Sequence, residues 1–267
     1  MDFLLLTFGP LNITIFNTIG FWQTFFLAKK ALPNKLLIVT KGKFIHLRMI
    51  KKDRYKHFIS YFSEYQPNPE TELKYGSPYE LLVAVILSAQ CTDKRVNMVT
   101  PKLFEAFPTP YVLAESTSDE VFTYIRSISY PNNKAKHLVG MAKVLTGEFG
   151  GVVPSEIDQL IKMPGVGRKT ANVIASVVYD KPTMAVDTHV YRVSARIGLT
   201  TNSKTVLDTE KQLVKGIPEE LIPKAHHWLI LHGRYVCLAR KPKCESCDIA
   251  SFCKYYVKNS VKKIEKM

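Results

Sequence analysis

Four cysteines near the C-terminus have the spacing of a metal-binding loop. They are separated by six, two and five residues, and they are Cys237, Cys244, Cys247 and Cys253. Four thiolates in one short segment can hold a tetrahedral zinc ion or an iron–sulfur cluster, and their spacing alone does not separate the two. Disulfides are disfavoured, because three of the sulfurs fall within ten residues and no secretory context is evident. The fifth cysteine, Cys91, lies far upstream and is expected to be a core thiol.

A turn between two helices is the second chemical feature, at Pro164-Gly165-Val166-Gly167. Ser155 and Asp158 have the spacing of a capping box, which predicts a first helix over 156–163. The second helix is predicted over 168–179 and begins directly after the turn. This pattern is a specific form of the helix-hairpin-helix motif.

The hairpin predicts a phosphate-binding site. Around Gly165 and Gly167, backbone N–H groups are expected to point outward at the N-terminus of the second helix, and Arg168 adds a positive charge beside them. Such a site binds the backbone of a nucleic acid without reading its bases.

Lys169 and Asp187 are the candidate catalytic residues. Lys169 lies near a helix N-terminus, where the macrodipole disfavours the ammonium form. If its side chain is half-buried, the neutral amine becomes available as a nucleophile, whereas a solvated lysine would bind phosphate. Asp187 follows an apolar run and precedes a helix, so it is expected to cap that helix and to face Lys169.

The composition indicates a globular protein with a polyanionic partner. The chain has 267 residues, of which 46% are hydrophobic and 22% charged, and its formal net charge is +14. A surplus this large favours nucleic acid, although a charge that serves only solubility is the alternative.

From Lys51 onward the pattern is helical almost throughout. Apolar residues recur at helical spacing or fill whole segments, which predicts helices over 54–65, 79–90, 93–107, 118–128 and 133–149. Proline and glycine mark the connectors, and long alternating strands are absent. The predicted fold class is therefore all-α, with helices packed on helices.

The first 48 residues differ from the rest. No charged residue lies between Phe3 and Ala28, a length that would permit a membrane span, although glycine, proline and asparagine interrupt it. From Met49 the chain looks like the start of an ordinary soluble protein. We therefore expect residues 1–48 to be a non-core extension produced by a misassigned start, with a membrane anchor as the alternative.

Four segments together resemble the endonuclease III family: 87–93, 164–172, 186–189 and 226–234. The cysteine spacing also matches that family's [4Fe–4S] loop, and this match, rather than the spacing itself, favours a cluster over zinc. The resemblance covers residues 49–257. It implies a bifunctional DNA glycosylase and AP lyase that removes oxidised pyrimidines in base excision repair.

The resemblance assigns roles to individual residues. Lys169 matches the family's Schiff-base lysine and Asp187 its catalytic aspartate, while Gln90 matches the residue that fills the space left by the flipped nucleotide. The loop 128–132 departs from the family pattern Ile-Gly-apolar-Tyr-Asn. That loop inserts a side chain opposite the lesion, so either Tyr130 stacks there or Pro131 moves the loop.

The cluster is expected to be structural. It would hold the loop 238–243, in which Arg240, Lys241 and Lys243 grip DNA phosphates.

The resemblance also implies an organisation in two helical lobes. The central lobe, 72–182, contains the hairpin, and the iron–sulfur lobe combines 49–71 with 183–257, followed by a basic tail at 258–267. Double-stranded DNA with a damaged base or an abasic site would lie in the groove between the lobes. We expect a monomer in the cytoplasm, associated with the nucleoid and not with a membrane.

Two other functions remain open. A monofunctional adenine–mismatch glycosylase is disfavoured, because that branch lacks a lysine at the position of Lys169. A non-catalytic iron–sulfur protein that binds DNA or transfers electrons would require Lys169 and Asp187 to be only a phosphate contact and a helix cap.

Overall fold

The computed structural model describes residues 49–264 and four strands within the first 48 residues. Twelve α-helices follow one another in the described part of the chain: α1 Lys51–Tyr65, α2 Pro78–Ser88, α3 Asp93–Ala106, α4 Pro110–Glu115, α5 Ser118–Ile125, α6 Pro131–Phe149, α7 Ile157–Leu160, α8 Arg168–Tyr179, α9 Thr188–Ile197, α10 Val206–Gly216, α11 Ile222–Tyr235 and α12 Lys254–Ile264. Short 3-10 turns occupy Glu219–Leu221, Cys244–Ser246 and Ala250–Phe252. The all-α prediction is confirmed for residues 49–264.

The four strands form an antiparallel sheet in the order β1 Asn12–Phe16, β2 Phe25–Lys29, β3 Leu37–Thr40 and β4 Lys43–His46. They are rich in isoleucine, threonine, valine and phenylalanine, which favour strands. No strand is predicted from the sequence in this segment.

The expectations of a misassigned start or of a membrane anchor concern residues that lie mostly outside the described ones. In the part of the chain that the structure describes, no helix is both long and apolar enough to cross a membrane.

Local sequence explains where most helices begin. Ser77, Thr92, Thr109 and Thr205 each accept a backbone N–H bond at the N-terminus of their helix, and Thr117 forms a complete capping box with Glu120. Helix α4 was not predicted, since its six residues are too few for a periodic pattern.

The capping box predicted at Ser155 is wrong. Helix α7 is only four residues long, and Glu156 occupies its N-cap position without capping it. The Ser155 hydroxyl instead contacts Glu156 Oε1 at 3.1 Å. The first helix of the hairpin therefore starts later and ends earlier than the sequence pattern suggests.

The buried apolar side chains form two clusters. The first centres on α2, whose residues 81–87 are all buried, and extends through α3 to α8. The second combines α1 with α9, α10 and α11 around Trp228, whose ring packs 5.9 Å from Phe58 and 5.8 Å from Phe62. Helix α1 thus packs against helices that lie more than 100 residues later in the chain.

Ion pairs and hydrogen bonds join the helices of the two clusters. Arg234 of α11 binds Asp93 at the start of α3 at 2.8 Å and also contacts Glu72. The side-chain amide of Asn172 in α8 donates to the Met184 carbonyl at 3.3 Å. These contacts bring the N-termini of α3, α8 and α9 into one region.

Candidate functional site

The hairpin between α7 and α8 is held against α6. Gly165 has a φ of +81°, and a Cβ atom there would lie 2.9 Å from His137 Cβ. A Cβ atom at Gly140 of α6 would lie 3.1 Å from Pro164 Cγ, so both glycines permit close packing. Within the described residues, no side chain caps α8 at Gly167. Its first N–H groups therefore have the free donor character that an anion site requires.

Arg168 is engaged within the protein. Its guanidinium makes a two-pronged contact with Glu210 of α10, at 2.6 and 3.2 Å. The hydrogen bond and the charge of Glu210 raise the pKa of Arg168 above its ordinary value. Its role as a DNA contact stays a prediction, and its observed role is to tie α8 to α10.

Lys169 is exposed, not half-buried as the nucleophile argument requires. It is the second residue of α8, where its flexible side chain extends from the helix end. Its charge acts on the carboxylates of Asp187 and Asp93. The structure thus brings Lys169 into electrostatic contact with Asp187, while any desolvation of the amine has to come from a bound partner.

Asp187 is the N-cap of α9, as predicted. Its Oδ1 accepts the backbone N–H groups of His189 and Val190, both at 2.8 Å, and its Oδ2 lies 2.9 Å from His189 Nδ1. Burial acts to raise the pKa of this carboxyl. The hydrogen bonds from Val190 and His189, with the charges of His189 and Lys169, outweigh burial and hold the pKa below its ordinary value. The side chain is therefore a carboxylate at neutral pH.

Two further ionisable groups beside this pair were not singled out from the sequence. Burial raises the pKa of Asp93, although the charge of Lys169 acts in the opposite direction. His226 is buried, its Nδ1 lacks a hydrogen-bond partner, and burial lowers its pKa to about 3, which keeps it neutral. Both residues belong to the segments 87–93 and 226–234, but nothing in their spacing identifies them as part of the site.

Gln90 and Tyr130 lie on two neighbouring loops and are both exposed. The Ser129 hydroxyl donates to the Gln90 carbonyl at 2.8 Å, which joins the loops. Pro131 is the first residue of α6 rather than part of a connector. The loop that departs from the family pattern is therefore anchored to the one that carries Gln90.

The four clustered cysteines line one pocket together with Ile197, His232 and Tyr255 among others, and its empty volume is about 340 Å³, part of it open to solvent. In the described part of the chain the cysteines form no disulfide, and Cys91 packs partly buried against the first cluster of apolar residues. Among the described residues, no three histidine, cysteine, aspartate or glutamate side chains are arranged around a single metal ion.

The pocket's chemistry fits a group that binds several thiolates. Burial raises the pKa of the Cys247 thiol to about 11, and the other three clustered cysteines act in the same direction. Four thiolates this close repel one another unless a cationic group neutralises them. Arg196 Nη1 donates to Cys237 Sγ at 3.4 Å, which fixes one sulfur from the α9 side.

The cationic loop follows the first of these cysteines. Arg240, Lys241 and Lys243 are exposed, and Lys241 has a φ of +49°. Arg196 holds the start of the loop by donating to the Leu238 carbonyl at 2.7 Å. The loop therefore presents three positive side chains from an anchored backbone.

Comparisons with known proteins agree with this arrangement. Residues 83–219 match the family model described as HhH-GPD superfamily base excision DNA repair protein. The chain is 49% identical over 195 residues to endonuclease III of Rickettsia felis, a match that covers 73% of this chain and 91% of that protein. It is 43% identical over 206 residues to endonuclease III of Escherichia coli K12, covering 77% and 97% of the two chains.

A solved structure is similar as well. The trapped covalent intermediate of endonuclease III with DNA, in its estranged-adenine complex, superposes with a TM-score of 0.75 at 42% sequence identity. The similarity covers 79% of this chain and the whole of that one.

Proposed function

Because this chain belongs to the endonuclease III family, within the HhH-GPD superfamily of base excision DNA repair proteins, we propose that it removes oxidised pyrimidines from double-stranded DNA. It is a DNA glycosylase with AP lyase activity, so it also cleaves the strand at the abasic site. The observation that carries this function is the position of Lys169. It lies in the first turn of α8, whose N-terminus no side chain among the described residues caps, and its charge interacts with that of Asp187.

Lys169 is the proposed nucleophile. Its neutral amine attacks C1′ of a nucleotide that has been flipped out of the duplex, the bond to the base breaks, and the base leaves with a proton. Since Lys169 is exposed in the free protein, bound DNA has to exclude water around it. The sugar ring then opens: the C1′–O4′ bond breaks, O4′ takes a proton, and a protonated imine forms at C1′. The imine acidifies the C2′ proton, whose removal breaks the C3′–O bond and releases the 3′ phosphate, and water finally hydrolyses the imine to free the enzyme.

Asp187 is the proposed electrostatic partner. Its carboxylate is held in place by three hydrogen bonds and stays ionised at neutral pH. A fixed negative charge stabilises the positive charge that develops on the sugar as the base departs. It can also accept a proton from the attacking amine, which gives the capping residue a second, chemical role.

The DNA contacts are proposed on three surfaces. The N–H groups at Gly165 and Gly167 bind a phosphate, and Arg168 assists if Glu210 shares it. Gln90 and Tyr130 enter the duplex at the lesion. The third surface is the cationic loop with Arg240, Lys241 and Lys243, whose contacts make binding depend on salt.

The four clustered cysteines are proposed to hold a [4Fe–4S] cluster. Four thiolate donors that line one pocket support this assignment, and the match to the family's cysteine spacing favours a cluster over zinc. When bound, the cluster supplies a rigid structural anchor. This chain's own residues then present the cationic loop to the DNA backbone.

The two apolar clusters support a division into a central lobe, 72–182, and an iron–sulfur lobe, 49–71 with 183–257, followed by the basic tail 258–267. The protein is proposed to act as a monomer on chromosomal DNA in the cytoplasm.

Replacing the nucleophile tests the function. Lys169→Gln keeps a polar side chain of similar reach but cannot form an imine. We expect loss of borohydride trapping and of strand cleavage on DNA with an oxidised pyrimidine, with binding to that DNA largely unchanged. Lys143→Gln, at an exposed lysine of α6, is the matched control and should trap normally. Trapping by Lys169→Gln would place the reactive amine elsewhere.

A further inference from the structure

Two exposed residues on neighbouring loops share an uncommon backbone conformation. Gln90 has a φ of +55° and Tyr130 a φ of +57°, and the Tyr130 side chain is 62% exposed. Residues other than glycine pay for this left-handed conformation, so it persists only where the surrounding contacts fix it. Both loops must therefore be held from within the protein.

The Gln90 turn is fixed by a buried ammonium group. Lys134 of α6 is only 6% exposed, and its Nζ donates to the carbonyls of Leu87 at 2.8 Å and Ala89 at 2.6 Å. These carbonyls lie at the C-terminal end of α2, where a cation satisfies the helix dipole. Helix α6 thus carries the side chain that anchors the loop of Gln90.

The Tyr130 turn is fixed by the same N-terminal turn of α6 that carries Lys134. The Tyr130 carbonyl accepts the backbone N–H of Lys134 at 3.1 Å, and Pro131 restricts the first turn of α6. The Ser129 hydroxyl then donates to the Gln90 carbonyl at 2.8 Å. A glycine at position 129, the residue that the family pattern has there, could not make this bond.

We propose that Gln90 and Tyr130 form one preformed wedge and that Ser129 is the positioning residue that joins its two halves. This inference rests on the proposed function, in which both residues enter the duplex. An aromatic ring stacks on any base, because every base has a π-face. The Tyr130 ring of the wedge therefore holds the base opposite the lesion by stacking, and this contact does not depend on which base it is.

The test measures binding to a duplex with a tetrahydrofuran abasic analogue opposite each of the four bases in turn. For the wild-type protein we expect Kd values that agree within about threefold across the four duplexes. Tyr130→Ala should weaken binding to all four by roughly tenfold, and Tyr130→Phe should not. A wild-type preference above about tenfold for one base would overturn stacking without readout.

A double-mutant cycle tests the brace. Ser129→Ala should weaken binding by roughly threefold to fivefold in the wild-type background and have no further effect in Tyr130→Ala. Ser129→Gly should repeat the loss, and Ser129→Thr, which keeps the hydroxyl, should restore binding. Ser127→Ala, at an exposed serine two residues upstream, is the matched control. Equal losses in both backgrounds would make Ser129 merely structural and overturn its role.

The outcome is separable from that of the proposed function. Binding to the tetrahydrofuran duplex needs no nucleophile, while borohydride trapping on damaged DNA does. A protein that shows the coupled pattern but neither traps nor releases a base loses the proposed function and keeps the wedge. One that traps normally while Ser129 and Tyr130 act independently keeps the function and loses the wedge. Absence of wild-type binding to any of the duplexes overturns both.

Discussion

At the scale of single residues, the carboxylate of Asp187 caps a helix and also carries the chemical role that we propose for it. One oxygen closes the N-terminus of α9, and the other pairs with His189. Because the same contacts that cap the helix also keep the group ionised, the charge needed for chemistry does not have to be stabilised separately. The two roles can be separated by a substitution that keeps the cap.

Asp187→Asn is that substitution. Asparagine caps helices about as well as aspartate, so the melting temperature at pH 7 should change by only a few degrees. Loss of the charge should slow base removal by roughly 10²-fold or more, measured in single-turnover reactions. Asp180→Asn, at an exposed C-cap, is the control and should leave the rate unchanged.

The same variant has a distinct pH dependence. The folded pKa of Asp187 lies below its ordinary value of 3.8, so its contribution to stability is present above that pH and is lost as the pH falls through the lower folded value. The asparagine variant lacks this loss. A variant that keeps its rate but loses stability would reduce Asp187 to a cap.

The sequence singles out the two residues of the proposed reactive pair but not their surroundings. Lys169 and Asp187 were found because a hairpin and a capping position mark them locally. Asp93 and His226 come close to that pair only through the packing of α3 and α11, and single-residue spacing carries no such information. The burial that a nucleophilic Lys169 requires is absent for the same reason, since the exposure of its side chain is set by the elements packed around it.

At the scale of elements, the hairpin depends on two glycines for different reasons. Gly165 is needed for its backbone, because its φ of +81° and its contact with His137 leave no room for a side chain. Gly167 has a φ of −88°, and nothing lies within 4 Å of a Cβ atom there. A glycine at this position leaves the N–H groups at the N-terminus of α8 accessible.

Alanine substitutions should separate these roles. Gly165→Ala should lower the free energy of unfolding by about 1–3 kcal/mol, through backbone strain and contact with α6. Gly167→Ala should leave it within about 0.5 kcal/mol, which makes it the matched control. Denaturant unfolding of both variants measures the difference. Equal losses would show that the turn, rather than Gly165 itself, limits stability.

Element boundaries were predictable where glycine or proline bounds a helix and not where tertiary packing ends it. Helix α8 matches its predicted bounds, because Gly167 directly precedes it and Pro182 follows shortly after it. Helix α7 is shorter than its apolar pattern, because its last residues turn to place Pro164 against Gly140. Local helix propensity carries no information about that contact.

At the scale of the whole molecule, the chain closes its second apolar cluster by returning α1 to the C-terminal helices. The helical fold class followed from periodicity, but this pairing came only from family resemblance, since no local pattern links α1 with Trp228. The sheet formed by β1 to β4 was not predicted, because strands of four or five residues give only a short pattern of alternation.

The proposed metal centre belongs to this scale, since its four cysteines lie in the segment between α11 and α12. The purified protein should be yellow-brown, with a broad absorbance band near roughly 400 nm and about four irons per chain. Cys247→Ser should lose the band and weaken DNA binding. Cys91→Ser, at the cysteine outside the pocket, should keep both. A colourless, active protein with one zinc per chain would overturn the cluster assignment.

Lys169 and Asp187 stand on helices of different apolar clusters, and this separation has a consequence for the cell. A strand-cutting enzyme is dangerous while it is incomplete, because an unselective nick is itself damage. Here the helix that carries the proposed nucleophile packs in the first cluster, whereas the helix that Asp187 caps packs in the second, together with Trp228 and α1. Under the proposed mechanism, a molecule in which the second cluster has not formed lacks the assembled pair, so the capacity to cut DNA depends on the finished fold.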